Sequence, residues 1–303
     1  MDLVIIFCEV DDFCKLYEKN AQRTNLLSGS NIKRKPCSME LSEILAVLIY
    51  GASLSDQFKH FKAFYKYNKA ELKSAFPGLL SYERLIELKQ EVIFPMMQFL
   101  LSKLSPCTGK SYIDSTSLKV CHPKRTNSHR VLESIASVGK TTNGWFYGTK
   151  LHLVVTPLGE IVNFKLTAGN TADNNKKVLR DLARKIWGKL FGDKGYIVNQ
   201  ETRQELYENN HVELIHNIRS NMKSQLLSAQ DKADLRKRAN ISEGAFNKIK
   251  MHLSLEHTRH RSLFGFLTHV VSILIAYQFW ALLRAQFIQD ITSSGQNSLK
   301  YVI

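Results

Sequence analysis

Two aspartates, Asp114 and Asp193, each stand where an apolar run stops and small residues begin. If the two predicted strands are neighbours, the carboxylates converge at one sheet edge, where their hard oxygens would bind Mg²⁺ or Mn²⁺ rather than Zn²⁺. Two such ions about 3.5 to 4 Å apart can activate a water or a 3′-hydroxyl and stabilise the leaving oxygen in phosphoryl transfer. The simpler interpretation is that Asp114 caps a turn and Asp193 shapes the Asp-Lys-Gly loop.

Chemistry of this kind needs a third carboxylate, and the basic stretch from Arg236 to Arg261 offers Glu243 and Glu256. Apolar residues recur there at helical spacing and leave Glu243 near the edge of an apolar face. The alternative is a solvated basic helix with no part in chemistry.

The charge of the chain points to a polyanionic partner. Its 303 residues include 42 Lys and Arg against 27 Asp and Glu, a net charge of +15. Nucleic acid is the leading candidate, and its binding should weaken steeply with salt because each neutralised phosphate releases counterions. Nucleophilic triads, glycine-rich phosphate loops and dinucleotide fingerprints find no match, which disfavours kinases, dehydrogenases and hydrolases.

The remaining composition favours a cytoplasmic protein. The five cysteines are odd in number and form no Cys-x-x-Cys pair, which fits a reducing compartment. Asp2 precedes the first apolar run, where a secretory signal would carry positive charge. Residues 263–283 are apolar and long enough to span a bilayer, but polar residues interrupt them, so we predict a buried or interface helix.

The elements that must position the acids fall into two regions. Apolar spacing over residues 37–103 predicts an all-helical segment, which ends at a Ser-Pro-Cys-Thr-Gly break. The region that follows predicts the order strand, strand, strand, helix, strand, helix, strand, helix. In it, 145–156 and 160–167 form a hairpin around Pro157-Leu158-Gly159.

Three local features have their own interpretations. Asp173 is placed to cap the helix after the hairpin. Residues 127–142 are expected to form a mobile basic loop. Aromatic residues interleave with lysines over 58–66, which could mean stacking on DNA, but an amphipathic helix with its aromatic face in the core is favoured.

Eight short motifs stand in a fixed order along nearly the whole chain. They are Val10-Asp11-Asp12-Phe13-Cys14, Leu41-Ser42-Glu43-Ile44, Phe61-Lys62-Ala63-Phe64-Tyr65, Phe76-Pro77, Ser81-Tyr82, Tyr112-Ile113-Asp114-Ser115-Thr116, Phe191-Gly192-Asp193-Lys194-Gly195-Tyr196 and Leu255-Glu256-His257-Thr258-Arg259-His260-Arg261-Ser262. Each is weak alone, but together they resemble the DDE transposases of the bacterial insertion sequence 982 family. The resemblance implies an α/β fold, a ribonuclease-H-like mixed sheet with flanking helices, preceded by an all-helical N-terminal domain.

The resemblance also implies domains and site residues. Residues 1–105 would form the helical domain that binds transposon ends, 106–285 the catalytic domain and 286–303 a C-terminal tail. The family's catalytic, metal-binding acids fall on Asp114, Asp193 and Glu243, which would hold two Mg²⁺ (or Mn²⁺) ions. A wider group of these enzymes carries a Tyr, Arg, Glu, Lys signature, of which Lys250 matches the Lys, Ala239 replaces the Arg, and the Tyr is missing.

The implied activity is binding of terminal inverted repeats, then metal-dependent cleavage and strand transfer by a homodimer on DNA. Two alternatives stay open, a ribonuclease-H-like nuclease without strand transfer and an inactive DNA-binding remnant of a transposase. The expected phosphate contacts are Lys194, Arg236, Lys237, Arg238, Lys250, Arg259 and Arg261.

Overall fold

The chain folds into two compact units. One consists of Met1–Lys103 with Ile249–Tyr277, and the other of Leu104–Lys248 with Gln278–Ile303. The boundaries predicted from the sequence differ from these, since they place residues 249–277 in the catalytic domain. The computed structural model describes residues 2–28, 37–58, 60–142, 144–217, 227–256 and 260–299, apart from the side chains of 21–28 and 291–299.

Helices build the N-terminal part of the first unit, as predicted. α2 begins at a capping box in which Glu40 and Glu43 each accept from the other's backbone N–H, and the Ser81 hydroxyl accepts from Arg84 N–H at the start of α5. The helices are α1 (Leu3–Ser28), α2 (Leu41–Ser53), α3 (Phe61–Tyr67), α4 (Lys69–Ala75), α5 (Tyr82–Glu91) and α6 (Ile93–Ser102).

Aromatic residues of α3 pack in the core of this unit. Phe64 and Tyr65 are buried, and the Phe61 and Phe64 ring centroids lie 5.5 Å apart. The Tyr50 ring meets Phe64 edge-on at 5.7 Å. The favoured interpretation of this segment, a helix with its aromatic face in the core, is therefore confirmed.

The same unit buries a lysine on α5. Lys89 is only 6% exposed, and its ammonium lies 5.6 Å from the centroid of the Phe61 ring. Burial lowers the pKa of Lys89 to about 8, because the charged form is poorly solvated there. Burial also lowers the pKa of the nearby His260 and His269, and the Lys89 charge adds to that shift.

Replacing Lys89 should therefore stabilise the protein. Between pH 8 and 10.5 the folded lysine loses its proton while the unfolded one keeps it, so stability rises with pH across that window, by roughly 3 kcal/mol in total. We expect Lys89→Met to gain a comparable amount at pH 7 and to remove the rise. The two histidines act in a separate window, because they cost stability only as the pH falls below 6.5.

Urea unfolding at pH 7, 8, 9 and 10 measures this effect directly. Lys66→Met is the matched control, since Lys66 is an exposed lysine in the same unit. If the pH profiles of wild type and Lys89→Met ran parallel from pH 8 to 10, the burial argument would be wrong.

α10 (Leu263–Leu299) is a single long helix at the C-terminal end of the described chain. Its part from Leu263 to Asp290 is long and apolar enough to cross a membrane, but 67% of its most apolar window is buried inside the protein. The prediction of a buried helix is thus confirmed. Residues 286–299, expected to be a tail, instead continue this helix.

The second unit is built on a mixed sheet with helices packed against it. The sheet order is β2-β3-β1-β5-β6, with β4 pairing to β3. β3 runs antiparallel to β1, β2 and β4, whereas β5 runs parallel to both β1 and β6. The elements are β1 (Lys110–Cys121), β2 (Ser137–Thr141), β3 (Gly144–Val155), β4 (Ile161–Ala168), α7 (Lys176–Ala183), β5 (Gly188–Gly192), α8 (Gln200–Asn210), β6 (Val212–His216) and α9 (Ala229–Asn247).

Two predictions about these strands are wrong in detail. Asp114 lies inside β1 rather than at its end, because residues 115–121, which begin with three polar residues, continue the strand by pairing with β3. The expected mobile loop at 127–142 contains β2, which pairs with the start of β3. Neither segment has the apolar alternation that marks a half-buried strand, so its pairing partner decides its structure.

Candidate active site

The register of two parallel strands brings Asp114 and Asp193 side by side. Tyr112 of β1 pairs with Phe191 of β5, and their rings meet edge-on at 5.9 Å. Each aspartate follows two residues later, and the period of two in extended chains carries both to the same level and face. β5 ends at Gly192, so Asp114 has a strand neighbour on one side only, and the two carboxylates border an open edge.

Asp114 is held by two donors on its two oxygens. The Arg238 guanidinium donates from Nη1 to Oδ2 at 2.9 Å, and the backbone N–H of Ser115 donates to Oδ1 at 2.8 Å. Burial nevertheless raises the pKa of Asp114 to about 6, and the nearby charges of Asp193 and Asp173 add to the rise while Arg238 opposes it. This carboxylate is therefore ionised at neutral pH but close to its titration range.

Asp193 shapes the turn that follows β5. Its Oδ1 accepts the Gly195 N–H at 2.8 Å, which caps a short 3₁₀ turn over Lys194–Tyr196. The interpretation of Asp193 as a loop-shaping residue is thus correct as far as it goes. The same side chain also stands next to Asp114, so the turn fixes a carboxylate at the strand edge.

A third carboxylate, Asp173, joins the other two. The sequence suggested that it caps α7, but this is wrong, since α7 is capped by Asn175, whose side chain accepts from the Val178 N–H at 3.2 Å. Asp173 Oδ1 instead accepts from the Ser115 hydroxyl at 2.6 Å and from the Lys150 ammonium at 3.2 Å.

Asp173 was missed because its partners are distant in sequence. Ser115 and Lys150 stand on β1 and β3, whose pairing is what carries them to Asp173. An Asp two residues before Asn175 looks like a helix start by any local rule. One sequence signal could have identified Asp173. It follows the second strand of the predicted hairpin, so the connection after β4 returns it towards the sheet that carries Asp114.

Tyr196 is a buried residue on which the charges of the three aspartates act. It is 1% exposed, and its hydroxyl has no hydrogen-bond partner of normal geometry among the described residues. Burial raises the pKa of Tyr196 well above its usual value, and the charges of Asp173, Asp114 and Asp193 raise it further, while the nearby Ser115 hydroxyl lowers it. All three carboxylates are therefore close enough to this phenol to act on it electrostatically.

The helix that carries Glu243 is fastened to the sheet by charged pairs. Lys189 on β5 pairs with Asp231 at 2.7 Å, and Lys110 on β1 pairs with Asp234 at 2.7 Å. The bond from Arg238 to Asp114 is the third attachment. α9 thus runs along β1 in the direction of the acids.

Glu243 itself is exposed and lies about 7.5 Å further along α9 than Arg238, at 1.5 Å per residue. It has no hydrogen bond or ion pair with another described residue, whereas the preceding Ser242 is buried. The structure therefore brings Asp114 and Asp193 together and leaves Glu243 on the adjacent helix. Among the described residues, no three His, Cys, Asp or Glu side chains already converge as ligands of one metal ion.

The predicted phosphate contacts divide into three groups. Arg238 is buried against Asp114, so it serves the acid cluster instead of presenting its charge to solvent. Lys250 is half-buried and pairs with Glu256, and Arg259 lies outside the described residues. Those that are exposed are Lys194, Arg236, Lys237 and Arg261.

Comparison with known protein families shows which family this chain belongs to. Residues 104–263, more than half of the chain, match the family described as transposase DDE domain. The chain therefore belongs to the transposase DDE domain family. No curated protein sequence matches this chain.

The fold is shared with a solved transposase. The chain is similar to piggyBac transposase in a synaptic complex with hairpin DNA, with 11% identity and a TM-score of 0.51 over 96% of this chain and 73% of that one. It also matches Mos1 transposase in a strand transfer complex, with 14% identity and a TM-score of 0.25 over 75% of this chain and 84% of that one. The predicted ribonuclease-H-like sheet with flanking helices and a helical N-terminal region is confirmed.

Proposed function

We propose that this protein is a DDE transposase of the insertion sequence 982 type. It binds the terminal inverted repeats of its element as a homodimer in the cytoplasm and catalyses metal-dependent cleavage and strand transfer. One observation carries the proposal: in a chain of the DDE family, the parallel register of β1 and β5 sets Asp114 beside Asp193 at an open strand edge.

The donors at this edge fit a hard divalent cation. Carboxylate oxygens are the preferred ligands of Mg²⁺ and Mn²⁺, and the charges of Asp114, Asp173 and Asp193 all act on the buried Tyr196 hydroxyl. Asp114, Asp193 and Glu243 would hold two such ions. When bound, the ions supply activation of a water or 3′-hydroxyl and charge stabilisation of the leaving oxygen.

The protein's own contribution is to orient these acids. Arg238 and the Ser115 N–H fix Asp114, and the Gly195 N–H fixes Asp193, so two carboxylates are ordered before any ligand arrives. Pre-organised charge of this kind needs no rearrangement during the reaction.

We assign DNA binding to two parts of the chain, the exposed basic residues near the acids and the helical N-terminal residues 1–105. Lys194, Arg236 and Lys237 are exposed in the same unit as the acids, and Arg236 also lines a cavity of about 520 Å³ with Lys232 and Asn217. Arg261 is an exposed candidate in the other unit, and Lys250 and Arg259 stay predicted contacts. Residues 1–105 are proposed to recognise the transposon ends.

A plasmid assay tests the proposal. The genomic flanks of the coding region supply the inverted repeats, and a donor fragment carrying them is incubated with the protein, a target plasmid and Mg²⁺. We expect joined strand-transfer products that disappear when the Mg²⁺ is chelated. Nicked or hydrolysed donor without joined product would identify the nuclease alternative, and equal DNA binding with and without Mg²⁺ and no cleavage would identify the inactive remnant.

A further inference from the structure

We propose that Asp173 is a fourth carboxylate of the active site and binds the divalent cation directly together with Asp193. This inference rests on the proposed function, because it concerns the same cation. It adds a ligand that lies outside the predicted trio of Asp114, Asp193 and Glu243.

The two oxygens of Asp173 are used differently. Oδ1 takes the Ser115 hydroxyl at 2.6 Å and the Lys150 ammonium at 3.2 Å, and Nδ1 of the buried His152 lies 3.9 Å from it. Oδ2 takes no donor from the described residues and points to the other side, towards Gly195. One oxygen thus anchors the side chain while the other is left to accept a ligand.

A glycine lines the space between Asp173 and Asp193. A Cβ added to Gly195 would stand 2.9 Å from Oδ1 of Asp193 and 3.2 Å from Oδ2 of Asp173, so any larger residue would fill the gap between the two carboxylates. The absence of a side chain at residue 195 keeps a small oxygen-lined recess between them. Hard oxygens around a recess of this size suit Mg²⁺ or Mn²⁺.

Tyr196 contributes a second, independent observation on the polar groups near this recess. The tyrosine is almost wholly buried, and its hydroxyl makes no hydrogen bond of normal geometry with a described residue, an arrangement that is unfavourable for a polar group. The charges of Asp173, Asp114 and Asp193 all act on this hydroxyl, and the Ser115 hydroxyl lies near it. A hydrated cation held by the aspartates would bring water to this phenol.

The charges around the recess also favour a cation. Three carboxylates face two permanent positive charges, since Lys150 pairs with Asp173 and Arg238 pairs with Asp114. Asp193 has no basic partner among the described residues, which leaves one negative charge uncompensated beside Asp173.

The test measures Mn²⁺ binding to the full-length protein by titration calorimetry and by the loss of the free-ion EPR signal. We expect Asp173→Asn to weaken Mn²⁺ binding at least tenfold. The amide keeps the shape of the side chain and can still accept the Ser115 hydrogen bond, so the variant loses the charge of the carboxylate while its anchor to β1 is kept. An unchanged Mn²⁺ affinity in Asp173→Asn would show that this carboxylate does not bind the cation. Thermal unfolding checks that the variant is folded.

Two reference variants separate this inference from the proposed function. Asp181→Asn changes an acid that pairs with Lys165 and Arg184, away from the recess, and should bind Mn²⁺ as the wild type does. Weak binding by Asp193→Asn with normal binding by Asp173→Asn would overturn the inference alone. Normal binding by both variants, or no binding by the wild type, would overturn the metal site of the proposed function and this inference with it.

Discussion

Asp193→Asn should lower the rate of DNA cleavage at the cognate ends by about 10³-fold or more. The carboxylate supplies negative charge next to Asp114, and several kcal/mol of charge stabilisation are lost with it, at a factor of ten for each 1.36 kcal/mol. The asparagine oxygen can still accept the Gly195 N–H, so the turn after β5 should persist. Single-turnover nicking of an end-bearing fragment gives the rate, and thermal unfolding confirms the fold.

Glu213→Gln is the matched control for this variant. Glu213 is an exposed acid of β6, the strand paired with β5. Its replacement removes the same charge as Asp193→Asn but leaves the three aspartates of the candidate site unchanged. Its nicking rate should equal that of the wild type. A normal nicking rate in Asp193→Asn would show that this aspartate only shapes its loop.

Glu243→Gln should cause a comparable loss of cleavage without any loss of stability. Its side chain is exposed and makes no hydrogen bond or ion pair with a described residue, so substitutions there should change the free energy of unfolding by less than about 0.5 kcal/mol. A large effect on rate with none on stability would mean that the carboxylate acts on a ligand. Cleavage and urea unfolding are measured on the same preparation.

The competing interpretation of Glu243, a solvated helix residue, is distinguished by two further variants. Glu208→Gln removes an exposed acid from α8 and should leave cleavage unchanged. Glu256→Gln tests the other acid of the basic stretch, which pairs with Lys250. Loss of cleavage in Glu256→Gln but not in Glu243→Gln would transfer the third position to Glu256.

Local patterns sufficed for much of the sheet and for two of the acids. The hairpin of β3 and β4 follows from alternating apolar residues and a Pro-Leu-Gly turn. Asp114 and Asp193 stand out because each follows an apolar run, and their convergence was expected only if the two strands were neighbours, which β1 and β5 are. The exact pairing of Tyr112 with Phe191 could not be predicted, since it depends on contacts between residues 79 positions apart.

What the sequence could not show is which way charged side chains face. Arg238 stands in a basic stretch of the sequence and was predicted to contact DNA phosphates, yet its guanidinium is buried and donates to Asp114. Asp173 was given a local role as a cap, yet its partners come from β1 and β3. Both errors have one cause. The partners of these polar side chains are distant in sequence, and such long-range contacts produce no periodic pattern that the sequence could show.

The supports beneath the carboxylates differ in kind. Asp114 stands on a strand hydrogen-bonded within the sheet, whereas the helix of Glu243 is tethered by the ion pairs of Asp231 and Asp234 with lysines. Acid removes such tethers, because protonated aspartates no longer pair with lysines, whereas it leaves the backbone hydrogen bonds of a β-ladder in place. Under those conditions Glu243 would lose its fixed position first, whereas Asp114 and Asp193 would stay side by side on the sheet.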